Sequence, residues 1–147
     1  MTHSSDLQWV IVRSNSKYLQ KRGGVRLSSD PFNNSGRWTS RQSGFVADKA
    51  VVVKGGSNGA LVATIKSGAE NNKPRKTYTK TVFPADVKPS VVSKAASAVR
   101  SDLADTTFRR AAKLIRTNKR STKVKAARKE RSAKITFKRK AVRPKRK

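Results

Sequence analysis

Side chains able to carry bond chemistry are scarce in this sequence. The only histidine, His3, sits beside the chain start and reads as a surface residue rather than a base. The acids are Asp6, Asp30, Asp48, Glu70, Asp86, Asp102, Asp105 and Glu130. None forms the close pair that two-carboxylate catalysis needs. Asp102 and Asp105 share a helical turn, where capping explains them better than a metal does. The stretch "KGGSNG" is glycine-rich but lacks the closing Lys-Ser/Thr of a phosphate-binding loop, and it leads into no helix. With no cysteine in the chain, disulfides and zinc–thiolate sites are excluded. The sequence therefore predicts no enzyme, no cofactor and no bound metal.

What it offers instead is positive charge. Lys and Arg number 36 against 8 Asp and Glu, a formal net charge of +28. Charge so far from zero works against a compact free monomer and marks a binder of polyanions. Phosphate-contacting cations gain free energy by releasing condensed counterions, and Arg adds forked hydrogen bonds and planar stacking. The distribution is uneven: residues 1–72 carry a net +6 and residues 73–147 a net +22. From Arg109 onward there are 19 basic residues and one acid, Glu130. The closing "KERSAKITFKRKAVRPKRK" has almost nothing to bury, so it cannot offset its own chain entropy.

Candidate nucleic-acid contacts follow from that distribution. Arg13, Lys17, Lys21 and Arg22 come first, then Arg37, Trp38 and Arg41 in a polar loop, then Lys73, Arg75 and Lys76. Arg109, Arg110, Lys113, Arg116 and Lys119 come next. Arg120, Lys123, Lys125, Arg128, Lys129, Arg131, Lys138, Arg139, Lys140 and Arg143 extend the series into the tail. Trp38, Phe45, Tyr78, Phe108 and Phe137 lie among these cations, and aromatic faces can stack on unpaired bases. Phe108 and Trp9 read as core residues, whereas Trp38 is open to either role.

The elements that must position these residues are legible in part. "SSDLQWVIVRSNS" carries a helix signal. Ser5 and Gln8 suit a capping box, Asp6 suits the positive dipole end, and Leu7, Val10 and Ile11 share a face beside Trp9 and Val12. A strand is the rival reading of "WVIV". "KYLQKR" and "VRLSS" predict short strands around Gly23-Gly24, and residues 28–44 predict a surface loop. Ala50–Lys54 and Ala60–Lys66 flank a turn and predict a hairpin. "KTYTKTVF" (76–83) predicts a further strand, ended by Pro84. After Pro89, Val92, Ala95, Ala96, Val99 and Leu103 fall on one helical face. A second helix over about 102–119, capped by Ser101, carries Ala104, Phe108, Ala111, Ala112 and Ile115 on one stripe. Arg109, Lys113, Arg116 and Arg120 form another.

The fold class is therefore α+β. A small antiparallel sheet, an N-terminal helix and two C-terminal helices form residues 1–119, and residues 120–147 form a basic extension, disordered without its partner. No apolar run approaches 18 residues, so no membrane-spanning helix is expected. The start "MTHSSDLQWV" shows no secretory signal. A membrane-surface role needs an amphipathic tail, but only Ile135, Phe137, Ala141 and Val142 are apolar there, interrupted by Pro144. No helix-turn-helix, zinc finger or basic zipper is visible. A chromatin-associated, basic DNA-binding protein remains the alternative. The β-rich body and the mixture of Arg with Lys lean toward folded RNA.

Three stretches sharpen that lean: "LQWVIVR", "NKPRKTY" running into "TKTV", and "RSDLADTTFRRAAKLIRTNK". In order and spacing, over roughly residues 5–120, they resemble the eukaryote-type large-subunit ribosomal protein family numbered twenty-eight, which is unrelated to the bacterial protein of that number. The resemblance implies a structural constituent of the cytosolic 60S subunit, with an α+β domain on ribosomal RNA and a basic C-terminal part along or into it. It implies ribosomal RNA and neighbouring ribosomal proteins as partners, with no membrane and no small-molecule substrate. It also implies a cytoplasmic location with nucleolar passage during assembly. Arg109, Arg110 and Arg116 match the family's basic helix. The "KGGSNG" turn and "SGAENN" depart from the family pattern, and the segment after about Lys119 is longer and more basic.

Overall fold

Two runs of β-branched residues either side of the 56–60 turn organise the molecule. The computed structural model describes residues 4–68 and 73–134. An N-terminal helix α1 (Ser5–Val12) leads to strands β1 (Leu19–Arg22) and β2 (Val25–Ser28), then a long loop with a short 3-10 turn at Ser40–Gln42. Strands β3 (Ala50–Gly55) and β4 (Leu61–Lys66) follow, then a single helical turn α2 (Pro74–Thr77) and β5 (Tyr78–Phe83). Helix α3 (Pro89–Ser97), a 3-10 turn (Ser101–Leu103) and helix α4 (Ala104–Lys134) complete the chain described. The α+β class expected from the sequence is the one observed.

β1 and β2 form a two-residue hairpin in which Arg22 pairs with Val25. Gly23 and Gly24 both have positive φ, 50° and 76°, as the turn type matching strand twist demands. The second sheet is antiparallel in the order β3-β4-β5. Its register sets Val53 opposite Ala63 opposite Thr81, and Gly55 opposite Leu61 opposite Phe83. Directly opposed residues project to the same face. That face meets α3 and α4 in a core of Val53, Leu61, Val92 and Ala111, closed by Phe83, Val87, Leu114 and Ile115. Each larger aliphatic side chain among them contributes about 1.5–3 kcal/mol on burial.

The other face lies under the loop that the sequence predicted as surface. Its backbone is held by buried polar side chains. The Asp30 carboxylate accepts from the backbone N–H groups of Phe32 (2.9 Å), Gly44 (2.8 Å) and Phe45 (3.2 Å). Asn34 donates to the Val51 carbonyl (2.8 Å) and accepts from the Val53 N–H (2.9 Å). Lys66 donates to the carbonyl of Ala47 at 2.7 Å. At Gly44 a Cβ would fall 2.2 Å from that of Phe32, so no larger residue fits.

Several expectations need correction. Val99 and Leu103 do not extend α3, because the chain leaves the helix after Ser97 and re-enters through a 3-10 turn. Leu103 nonetheless reaches the interior, at 3% exposure. The Ser5 capping box does not form: Ser4 is the first-turn cap, with no side-chain bond, and Ser5 is already helical. Nor does Ser101 cap by its side chain; the residue before it, Arg100, occupies that position. Phe108 is 42% exposed, because Thr107 and Ala111 take the inward positions on α4. Finally, α4 continues past 119 to Lys134, driven by Ala, Lys and Arg, which lose little rotamer freedom in a helix. Residues 135–147, with Phe137 and the final run of cations, lie outside the described chain.

Candidate nucleic-acid interface

The loop and the start of α4 together make an open groove of about 470 Å³. Arg37 and Arg41 come from the loop, and Arg109, Arg110 and Lys113 from the helix. Asn34, Ser35, Thr39, Gln42 and Thr106 add neutral hydrogen-bonding groups, and Asp105 is the one acid in the lining. The loop side is stiffened by Asn33, whose side chain accepts from the N–H groups of Ser35 (2.9 Å) and Gly36 (2.8 Å) and donates to the Arg37 carbonyl (2.8 Å). Loop and helix residues far apart in sequence thus converge on one cationic concavity.

The five cations differ in freedom. Arg110 is half-buried, with Nε 3.5 Å from the Val53 carbonyl, so it braces the sheet edge as well as lining the groove. Arg41 is tied across to Asp102 by an ion pair at 3.4 Å and by a bond to its carbonyl. Arg109 pairs with Asp105 one turn before it at 3.0 Å, an exposed i,i+4 contact worth roughly 0.3–0.5 kcal/mol. Arg37 and Lys113 carry no ion pair among the described residues. Asp102 itself is held by Arg100, which also reaches the carbonyls of Lys49 and Arg41. The hydrogen bond from Arg100, helped by the charges of Arg100 and Arg41, keeps the Asp102 carboxyl below its usual range against the opposing effect of burial. Asp102 is a cross-link between loop and helix start rather than a helix cap.

Beyond the groove, Arg116, Arg120 and Lys123 continue the Arg109–Lys113 stripe at spacings of three and four residues. Up to Asn118 the opposite side of α4 meets the body: Ala111 is fully buried, and the Asn118 amide donates to the Gly59 carbonyl at 3.0 Å. Residues 119–133 are all exposed. At about 1.5 Å per residue they project roughly 22 Å. Here Lys119, Arg120, Lys123, Lys125, Arg128, Lys129 and Arg131 surround the axis instead of sharing one stripe.

The remaining candidates fall elsewhere. Trp38 is 8% exposed, between a tilted Trp9 ring (centroids 5.2 Å) and a stacked Phe45 ring (6.2 Å), with its indole N–H donating to the Arg13 carbonyl at 3.0 Å. It is a core residue and presents no face to a base. Arg13, Lys17, Lys21 and Arg22 are exposed but do not line the groove, and the same holds for Lys73 and Lys76. The side chain of Arg75, and all of Lys138, Arg139, Lys140 and Arg143, lie outside the described residues. The sequence reading missed Asn34, Ser35, Thr39, Gln42, Thr106 and Arg100. Only the density of Ser and Asn in the loop hinted at the first three.

Among the described residues no group of His, Asp and Glu could hold a metal, and no helix is long and apolar enough to cross a membrane. Comparison with known proteins matches residues 7–117 to the Ribosomal L28e protein family. The chain is 60% identical over 146 residues to a Trypanosoma cruzi protein, large ribosomal subunit protein eL28, covering 99% of each. It is 38% identical over 87 residues to the Schizosaccharomyces pombe protein of the same name, 56% of this chain and 65% of that one. A cationic groove and helix on an α+β body, a match over most of the length and a near full-length relative converge: the chain belongs to the L28e family of eukaryotic ribosomal proteins.

Proposed function

We propose that this chain, a non-enzymatic constituent of the large ribosomal subunit by family, binds ribosomal RNA through the groove and the length of α4 and thereby stabilises the assembled 60S particle. The observation that carries this is the change in charge layout along α4. Where the helix meets the body, Arg109, Lys113 and Arg116 lie on the outward stripe while Arg110 braces the sheet edge; where it projects, the cations surround it. Cations on every side suit a helix enclosed by phosphate rather than one laid on a single strand. Such a segment neutralises RNA backbones that would otherwise repel as they approach. Arg37, Arg41, Arg109, Arg110 and Lys113 would then clamp the RNA at the helix root. Nucleolar passage during assembly belongs to the same reading, since the particle's RNA must be met where it is made.

The test is truncation after Lys119. The shortened protein should keep its body, while affinity for large-subunit RNA falls sharply. The dependence of log K on log salt should become shallower by up to about 0.9 for each phosphate that the projecting helix no longer neutralises. Unchanged affinity with an unchanged salt slope would refute the role of the projecting helix. Preference for duplex DNA over structured ribosomal RNA at matched salt would favour the chromatin alternative.

A further inference from the structure

Helix α1 is docked on the body through its less apolar side. Ser5, Gln8, Trp9 and Val12 are the half-buried positions, with Trp9 against Trp38 at 5.2 Å. Leu7, Val10 and Ile11, spaced i, i+3 and i+4, point the other way and are 61%, 55% and 67% exposed. No side chain of α1 is fully buried. The shared face that the sequence spacing gives these three is turned outward by the fold. Three large aliphatic side chains left outward on one helical face are a pattern that interaction surfaces use.

The surroundings say what kind of partner fits. Residues 1–12 contain no Lys or Arg, in a chain of net charge +28. The cleft at the root of α1 is lined by Asp6 and Asp48 together with Arg41, Lys49 and Arg100, and Asp102 ties up two of those three cations. Asp6 and Asp48 are exposed and make no ion pair among the described residues. Leu, Val and Ile offer neither a donor for phosphate nor an aromatic face for a base, so RNA gains nothing here. We propose that the outer face of α1 is a protein-docking surface. Its occupant is a segment of a neighbouring ribosomal protein that presents aliphatic side chains to Leu7, Val10 and Ile11 and a flanking Lys or Arg to Asp6 and Asp48. This rests on the reading that the chain resides in the large subunit, but not on how α4 meets RNA.

The experiment places a photo-crosslinking benzoylphenylalanine in place of Val10 in one cell line and in place of Lys123 in another. Large subunits are then purified through a high-salt gradient. Illumination should join position 10 to one segment of a neighbouring ribosomal protein, the adduct disappearing in the Leu7→Ser, Ile11→Ser background. In unsubstituted particles, Leu7, Val10 and Ile11 should be oxidised by hydroxyl radicals several-fold less than in the free protein. A position-10 adduct with ribosomal RNA or with a second copy of this chain overturns the proposal, and so does equal oxidation in the two states. Position 123 reports separately on the RNA reading, so either can fail while the other stands.

Discussion

The two halves of α4 are covalently one helix with opposite surroundings. From Ala104 to Asn118, Thr107 and Ala111 are wholly buried, and Leu114, Ile115 and Asn118 lean on the sheet and its turn. Tertiary packing makes that half stable, as it does for most helices in proteins. From Lys119 to Ala133 nothing is buried by the body, and like charges one turn apart (Lys119 with Lys123, Lys125 with Lys129) each cost about 0.2–0.5 kcal/mol. The first half is a structural element carrying charge. The second is a charge carrier whose helix is only marginally favoured by its own sequence, and RNA phosphates would remove the repulsion that opposes it.

The contrast breaks most visibly at the core. Leu61→Ala, at a fully buried site under the first half of α4, should cost about 2–5 kcal/mol in urea unfolding. Val124→Pro introduces a helix penalty of about 3 kcal/mol, yet it should leave the urea midpoint of the body unchanged while lowering helicity and RNA affinity. A shared loss of body stability would mean that the two halves form one cooperative unit. Asp30→Asn should destabilise by about 1–3 kcal/mol, since a neutral amide accepts three backbone N–H groups poorly and brings donors with no partner. It should also loosen the groove wall without touching the projecting helix.

The smallest effect is the most diagnostic of the joint between loop and helix. Because Arg100 and Arg41 hold the Asp102 carboxyl below its usual range, its charged form favours the fold. That contribution is complete above the ordinary value of 3.8 and disappears as pH falls from there through the lowered one. Asp102→Asn should therefore be less stable than the parent at neutral pH, and the gap should close in acid. A gap that persists undiminished well below the ordinary carboxylate range would assign the loss to packing.

The elements built on period were legible in the sequence. The hairpin of β3 and β4 and the strand stopped by Pro84 follow from alternation, and i, i+3, i+4 spacing gave a helix at α4 with Ala111 and Ile115 on its packed side. What was not legible depended on neighbours distant in the chain. Trp38 read as loop because its neighbours are polar, and only the fold brings Trp9 and Phe45 to its faces. Phe108 read as core because periodicity fixes a stripe's width, not which member of it the sheet reaches. At the site, Arg109, Arg110 and Lys113 were found by charge. Their convergence with Arg37 and Arg41 was not, since charge says nothing of which loop folds over which helix. The length of α4 was underestimated because an apolar stripe was required, when Lys, Arg and Ala sustain a helix without one.

Asn34 has a consequence that concerns the chain before it reaches a ribosome. Its amide donates to Val51 and accepts from Val53, as the backbone of an adjoining strand would, and so occupies the outer edge of β3. An uncovered strand rich in valine is a template for another chain, and "AVVV" is an aggregation-prone run. One side chain makes that edge unavailable to a fourth strand. The outer strand at the far side, β5, carries Lys80 near its centre, a charge that discourages stacking of identical copies. The sheet is in this way finished at three strands, and a newly made molecule has no valine edge to offer its siblings before it joins the large subunit.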